Sequence, residues 1–332
     1  MTAGLGTGDG LAIPRPQCSD VSPSEQIVGR SEELLDALAL ARRVAATDLP
    51  VLIVGETGTG KELVAQLVHH ASGRKGPMVS IDCGALPEEL GESLLFGHRR
   101  GAFTGAVQQT DGLIASAEDG TLFMDELSNL SLGGQAMLLR AIETRHIRRL
   151  GDARSRAASF RLVATAQDSL TDLLQGGRFR ADLMQRVSGV LIRLPSLRER
   201  GNDVAVLAHH FASQHGLSLQ ADACRDLVRC DWPGNVRELR ATVARCALFS
   251  AGDEIGREAV RLALTTGPAS LVKGCSAVGD PAEAAELRAL CSEFGGDADR
   301  IAAALNVSRA TLYRRLRARR LRLREFRVEA SA

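Results

Sequence analysis

At about 150 residues per domain the chain of 332 residues accounts for about two domains. Its 45% hydrophobic content suffices for ordinary cores, which excludes disorder as the main state. With 41 Lys+Arg against 40 Asp+Glu the net charge is +1, so any nucleic-acid footprint must be local.

The seven cysteines are odd in number and never spaced C-x-x-C, which points to neither a disulfide framework nor a zinc site. No stretch approaches the ~20 apolar residues of a membrane helix, and the start has neither a basic nor an apolar signal region. The expectation is a cytoplasmic protein with no membrane partner.

Residues 1–24 carry Pro14, Pro16 and Pro23 and read as a flexible tail. From Ile27 the texture turns α/β: Leu34, Leu35, Leu38 and Val44 suit an amphipathic helix, and Val51–Val54 a buried strand. Directly after it stand Gly55, Glu56, Thr57, Gly58, Thr59, Gly60, Lys61 and Glu62, ahead of a helical run. Glycines there let backbone N–H groups converge on phosphate oxygens, and Lys61 can reach β and γ phosphates. The generic pattern has Ser or Thr after the lysine to hold magnesium; Glu62 breaks it.

Further strands are predicted at Met78–Ile81, Thr121–Met124, Arg161–Thr165 and Val190–Leu194, giving a parallel sheet with crossover helices. Between the first two lies Gly101-Ala102-Phe103-Thr104-Gly105-Ala106, an uncharged tip between polar stems that can meet a partner and move. The alternative is a buried hairpin turn with Phe103 in the core. The strand at 121–124 ends in Asp125 and Glu126: Asp125 can hold hydrated magnesium and Glu126 can orient or deprotonate water.

Beyond Pro195 the spacing is purely helical, at Val204, Leu207, Phe211, Val236, Leu239 and Val243. The expected division is an α/β unit over 25–196, a helical subdomain over 197–264, a linker over 265–281 and a helical module over 282–332. That module reads as helices at Ala282–Phe294 and Asp299–Leu305, a turn at Asn306-Val307, and a third helix capped by Ser308. From Arg309 to Arg327 nine arginines face the single acid Glu325, the charge expected of a phosphate-binding face.

These motifs together resemble the AAA+ domain of bacterial enhancer-binding proteins, the NtrC-like activators of sigma-54 RNA polymerase, from about Ile27 to the C-terminus. The loop GETGTGKE, with its Glu62, is similar to the family's own phosphate loop, and the hexapeptide at 101–106 matches its GAFTGA loop in all six positions. The resemblance implies an ATPase using ATP and Mg2+, with Gly101–Ala106 contacting sigma-54. It implies Arg180 and Arg186 as fingers reaching a neighbour's γ-phosphate in a ring homo-oligomer, a hexamer in expectation. Arg237, in the segment around Trp232, becomes the phosphate-sensing arginine. The C-terminal module resembles a Fis-type helix-turn-helix, with Ser308, Arg309, Thr311, Arg314 and Arg315 at double-stranded DNA upstream of the promoter.

Two positions depart from the pattern. Asp82 replaces the Asn that restrains the catalytic glutamate, and a carboxylate there is expected to repel Glu126 or share a proton with it. Thr165-Ala166-Gln167 stands where Ala-Thr-Asn is usual, so a hydroxyl is expected to be lost and the amide lengthened. Altered turnover follows, weakly coupled to sigma-54 contact. The short leader is expected to hold no receiver or ligand-sensing domain, and control is then expected from a trans-acting regulator, expression level or assembly. The alternative is a nucleotide-binding DNA regulator, repressor or accessory factor, with impaired hydrolysis.

Overall fold

The computed structural model describes residues 26–87, 90–167, 174, 176–267, 281–295 and 297–305. These form two compact units. One runs to Asp203 and takes in Gly234–Arg237; the other comprises Val204–Pro233 and the residues from Glu238 onward. The tail 1–24, residues 268–280 of the expected linker and everything from Asn306 onward, including Ser308, Arg309, Thr311, Arg314 and Arg315, lie outside the described residues.

The first unit opens with α1 (Glu32–Ala45), which has Glu32 and Glu33 in its first turn and Arg42 and Arg43 in its last, each sign matched to the helix dipole. There follow β1 (Val51–Val54), α2 (Lys61–Ala71), β2 (Met78–Asp82), α3 (Gly91–Phe96), α4 (Leu113–Ser116) and β3 (Gly120–Asp125). A 3-10 turn (Leu127–Asn129) leads to α5 (Leu132–Thr144), the short pair β4 (His146–Ile147) and β5 (Arg156–Ala157), β6 (Phe160–Ala166), α6 (Ala181–Val187) and β7 (Val190–Arg193). The sheet is parallel with order β2-β3-β6-β1-β7. All five strands stand where the apolar runs predict; the central strands β1, β3 and β6 are covered on both faces and so need continuous apolar sequence, while the edge strands β2 and β7 are only partly buried.

Strand alternation sorts the side chains into two cores. Val51, Ile53, Phe123, Val163 and Ile192 pack with α1 and α2, whereas Leu52, Leu122, Met124, Leu162 and Ala164 pack with Leu95, Phe96, Ile114, Leu138 and Leu183. The same period places Asp125 and Thr165 on the α2 side, at the carboxyl ends of adjacent strands. β1 has β6 and β7 as neighbours while β2 lies at the far edge, so the chain reverses its lateral direction beside β1. That is where open α/β sheets bind ligands.

In the second unit α7 (Asp203–Gln214), from Val204 on, α8 (Ala221–Val228), α9 (Asn235–Phe249), from Glu238 on, and α10 (Arg257–Thr266) surround a core containing Leu207, Leu227, Trp232, Leu239 and Val243. β8 (Ser218–Leu219) and β9 (Glu254–Ile255) pair in parallel. Trp232 is fully buried and donates Nε1–H to the Leu227 carbonyl at 2.9 Å, so its one polar atom is satisfied. Helices α11 (Pro281–Glu293) and α12 (Ala298–Ala304) close on Leu287, Cys291, Ala298 and Ile301, close to the limits read from sequence. Among the described residues no helix is long and apolar enough to cross a membrane.

Candidate functional site

The loop after β1 is shaped by its glycines. Gly58 and Gly60 have φ of 81° and 100°, the left-handed region where a side chain is strained. A β-carbon on Gly58 would lie 2.3 Å from the Gly234 carbonyl oxygen, whereas one on Gly60 would meet nothing within 4 Å. The loop therefore needs Gly58 for conformation and space, and Gly60 for conformation alone. Lys61, buried at the first position of α2, turns its Nζ to the carbonyls of Gly55 at 2.6 Å and Glu56 at 3.2 Å. The ammonium thus lies over the loop that a polyphosphate would occupy, and the N–H groups opening the eleven-residue α2 add their dipole.

A ring of side chains absent from the sequence prediction braces this loop. Arg200, 3% exposed, donates to the carbonyls of Thr59 at 2.8 Å and Pro195 at 3.2 Å. Asn235 donates to the Thr57 carbonyl and to Glu56 Oε2, both at 3.0 Å, and accepts the Leu197 N–H at 2.7 Å. Arg198 pairs with Glu56 and, as the leading cause, holds its carboxyl below the ordinary range. Glu56 is thus a brace of the loop. Arg237, exposed, follows from the same turn, its backbone N–H 3.3 Å from the Gly58 carbonyl. Single arginines in a chain with so many carry no sequence signal, and Asn235 could be found only through its place in the Trp232–Leu239 segment.

At the end of β3, Asp125 accepts a hydrogen bond from the Thr165 hydroxyl, which in turn accepts the Glu126 N–H at 2.9 Å. The hydroxyl expected to be lost at position 166 is absent there, since Ala166 is buried in the core, and the hydroxyl that meets Asp125 is a different one. Thr165, one position before the one expected to carry it, faces Asp125 because β3 and β6 pair with Met124 opposite Ala164. Glu126 has φ of 51°, a strained value for a non-glycine residue, and caps the 3-10 turn that follows. Its Oε2 accepts Asn129 Nδ2–H at 2.9 Å, and its Oε1 lies 3.4 Å from Gln167 Nε2, which is also 3.4 Å from Thr57 Oγ1. Gln167 therefore spans from the loop to the carboxylate. Asp82, exposed, turns Oδ1 to the Gly84 N–H at 2.9 Å.

Beneath the three carboxylates lies Cys83, whose thiol is pushed up to about 12, by burial first and then by Asp82, Asp125 and Glu126. Among the described residues no group of three or more His, Cys, Asp or Glu could hold a metal alone. Magnesium keeps its waters and binds through one or two carboxylates and phosphate oxygens, a donor set to which the half-buried Asp125 carboxylate would contribute. Glu62 is exposed in the first turn of α2, within 3.4 Å of Gln66 Nε2.

Arg180 precedes α6 at its N-cap, Arg186 lies in its last turn, and both are exposed. Arg180 makes a bidentate pair with Asp182, at 3.1 and 2.7 Å, and Arg186 donates to Glu143 at 3.1 Å. The Arg180 backbone is set by Gln135, a fully buried α5 residue that accepts its N–H at 3.0 Å and donates to the carbonyls of Arg178 at 3.1 Å and Leu130 at 2.7 Å.

The hexapeptide is a surface loop, not a core hairpin. Thr104 and Gly105 are exposed, Ala106 is buried, and Phe103 is half-buried, edge-on to His98 with ring centroids 5.0 Å apart. Gly101 and Gly105, at φ of 82° and 105°, have open space around them, so conformation alone calls for glycine. The stem is fastened to the segment between β4 and β5: Leu150 N–H to Gly97 O at 2.9 Å, Arg99 N–H to Leu150 O at 3.0 Å, Arg99 to Asp152 at 3.7 Å, and the Arg149–Asp111 ion pair. About fifty residues separate the partners, so periodicity could not reveal this clasp.

Residues 27–193 match the sigma-54 interaction domain family, and residues 198–273 the AAA+ ATPase lid domain family. The anaerobic nitric oxide reductase transcription regulator NorR of Klebsiella pneumoniae (strain 342) is 44% identical over 257 residues, 75% of this chain and 50% of that protein. The nitric oxide reductase transcription regulator NorR1 of Cupriavidus necator is 46% identical over 231 residues, 67% of this chain and 45% of that one. The chain thus spans about half the length of the curated relatives it matches. Among solved structures, NtrX from Brucella abortus in complex with ATP has a TM-score of 0.65 at 26% identity, over 89% of this chain and 69% of that one. A RuvB mutant of Thermotoga maritima shares the fold, with a TM-score of 0.53 at 18% identity over 87% and 86%.

Proposed function

The chain belongs to the sigma-54 interaction family of AAA+ proteins, and from that premise we propose that it is an ATP-hydrolysing activator of transcription that remodels sigma-54 RNA polymerase. The observation that carries the reading is the convergence of Lys61, Asp125, Thr165 and Glu126 on one edge of the sheet, with the hexapeptide loop on the same unit. The loop amides from Gly55 to Lys61 bind the phosphates, and Lys61 exchanges its carbonyl partners for β and γ oxygens. Asp125 holds magnesium, which when bound neutralises phosphate charge. Glu126 accepts a proton from the attacking water, Gln167 senses the γ-phosphate position, and Asp82 lies at the same edge.

Arg180 and Arg186 leave Asp182 and Glu143 to reach a neighbouring subunit's nucleotide, and Arg237 contacts the phosphates in cis. Turnover then requires a ring, in our reading a hexamer. Gly101, Ala102, Phe103, Thr104, Gly105 and Ala106 engage sigma-54, and Ser308, Arg309, Thr311, Arg314 and Arg315 hold the upstream DNA. The whole acts in the cytoplasm, under a trans-acting regulator or through its assembly equilibrium.

The test is the steady-state ATPase rate of the purified chain across a concentration range, with Glu126→Gln as the blank. A rate per subunit that rises with concentration and disappears in the blank supports the reading. Nucleotide binding without turnover at any concentration would instead favour a nucleotide-switched DNA regulator. Both finger arginines, paired within their own chain, are the observation on that side.

A further inference from the structure

Glu126 is held by a residue three positions along the chain. Its left-handed φ of 51° starts a 3-10 turn closed by Asn129 N–H to Glu126 O at 2.8 Å, which folds the Asn129 side chain back over the carboxylate. The resulting Nδ2–Oε2 bond of 2.9 Å is shorter than the 3.4 Å approach of Gln167 to the other oxygen. The turn is pinned at both ends. Thr165 accepts the Glu126 N–H, and the carbonyl of Leu130, the next residue, accepts from Gln135, which also sets the backbone at Arg178 and Arg180.

Asp82, by contrast, cannot donate a hydrogen bond when ionised, and its Oδ1 accepts from Gly84. A β-carbon at Gly84 would lie 3.1 Å from Asn129 Nδ2, 3.3 Å from Asp82 Oδ1 and 3.9 Å from Glu126 Oε2. The amide and both carboxylates therefore crowd one spot, and the amide is the donor among them.

We propose that Asn129 is the positioning residue of the water-activating carboxylate, holding Glu126 in place where position 82 offers only a second carboxylate. The proposal rests on the reading that Glu126 activates water. Asn129 is exposed, so its variants are expected to fold.

The experiment measures kcat and KM for ATP on the full chain at concentrations where the rate per subunit has saturated. Asn129→Ala and Asn129→Asp should each lower kcat about tenfold or more, with KM changed less than about twofold, because orientation of the base is lost and nucleotide binding is not. The exchange Asp82→Asn with Asn129→Asp puts an amide donor back beside Glu126 and should return kcat to within about threefold of the parent. An Asn129→Ala rate within about twofold of the parent, or a double variant no faster than Asn129→Asp alone, overturns the proposal. Glu126→Gln separates the two levels: if it still turns over ATP, the underlying reading fails, and if it is inactive while Asn129→Ala is normal, only the role of Asn129 fails.

Discussion

Thr165 shows how one hydroxyl can serve two functional groups. It donates to Asp125 and accepts from the Glu126 amide, and its side chain is fully buried. Thr165→Val keeps the shape but leaves both partners unsatisfied, so it should cost about 1–3 kcal/mol of stability, read from denaturant unfolding. ATP turnover should fall more than nucleotide binding. Glu56 makes a pH-dependent contribution. The Arg198 hydrogen bond keeps its folded carboxyl below the ordinary 4.5, so the stabilisation is present above that value and is lost as pH falls through the lower folded one. Glu56→Gln should therefore lower Tm at neutral pH, and the gap from the parent should close as the pH falls below the ordinary carboxylate value. A gap that persists there would place the effect in packing.

At the scale of elements, the phosphate loop separates two costs of replacing glycine. Gly60→Ala meets only the left-handed backbone penalty, about 1–2 kcal/mol. Gly58→Ala adds a collision with the Gly234 carbonyl and should cost about 3 kcal/mol or more and abolish nucleotide binding. Calorimetric melts with a fluorescent ATP analogue would rank the two; equal costs would mean that the loop shifts away from Gly234. The hexapeptide loop follows similar logic, with Gly101 and Gly105 supplying conformation and the Arg99–Asp152 and Arg149–Asp111 pairs fastening the stem. Each pair has one exposed partner, so solvent screens it and its contribution to stability is small.

For the molecule as a whole, the thiols report on the integrity of each unit. Cys83 in the first and Cys246 in the second are buried, and burial is the leading cause that raises both to about 12. The thiolate is the reactive form, so both should resist alkylation at mildly alkaline pH, while half-buried Cys224 and Cys230 should react before them. Mass-spectrometric mapping along a denaturant series would show whether Cys83 and Cys246 become reactive together or in two steps. Two steps would mean that the units unfold independently.

What could be read without coordinates was what short-range physics writes into the chain. Short apolar runs mark the five strands, glycines mark the phosphate loop, and the carboxylates Asp125 and Glu126 end such a run. The GAFTGA hexapeptide was legible as an uncharged tip between polar stems and by its resemblance to a known family. What tertiary structure decided depends on register and on distant partners. Thr165 meets Asp125 only because β3 and β6 pair in one register, and a slip of one residue would turn the hydroxyl to the other face. Arg200 and Asn235 reach the loop across more than a hundred residues, and Leu150 clasps Gly97 across about fifty. Even Asn129, three positions from Glu126, depended on a left-handed φ that no propensity assigns to glutamate. Local pattern is set by side-chain period and backbone sterics, whereas these contacts exist only once the sheet has closed.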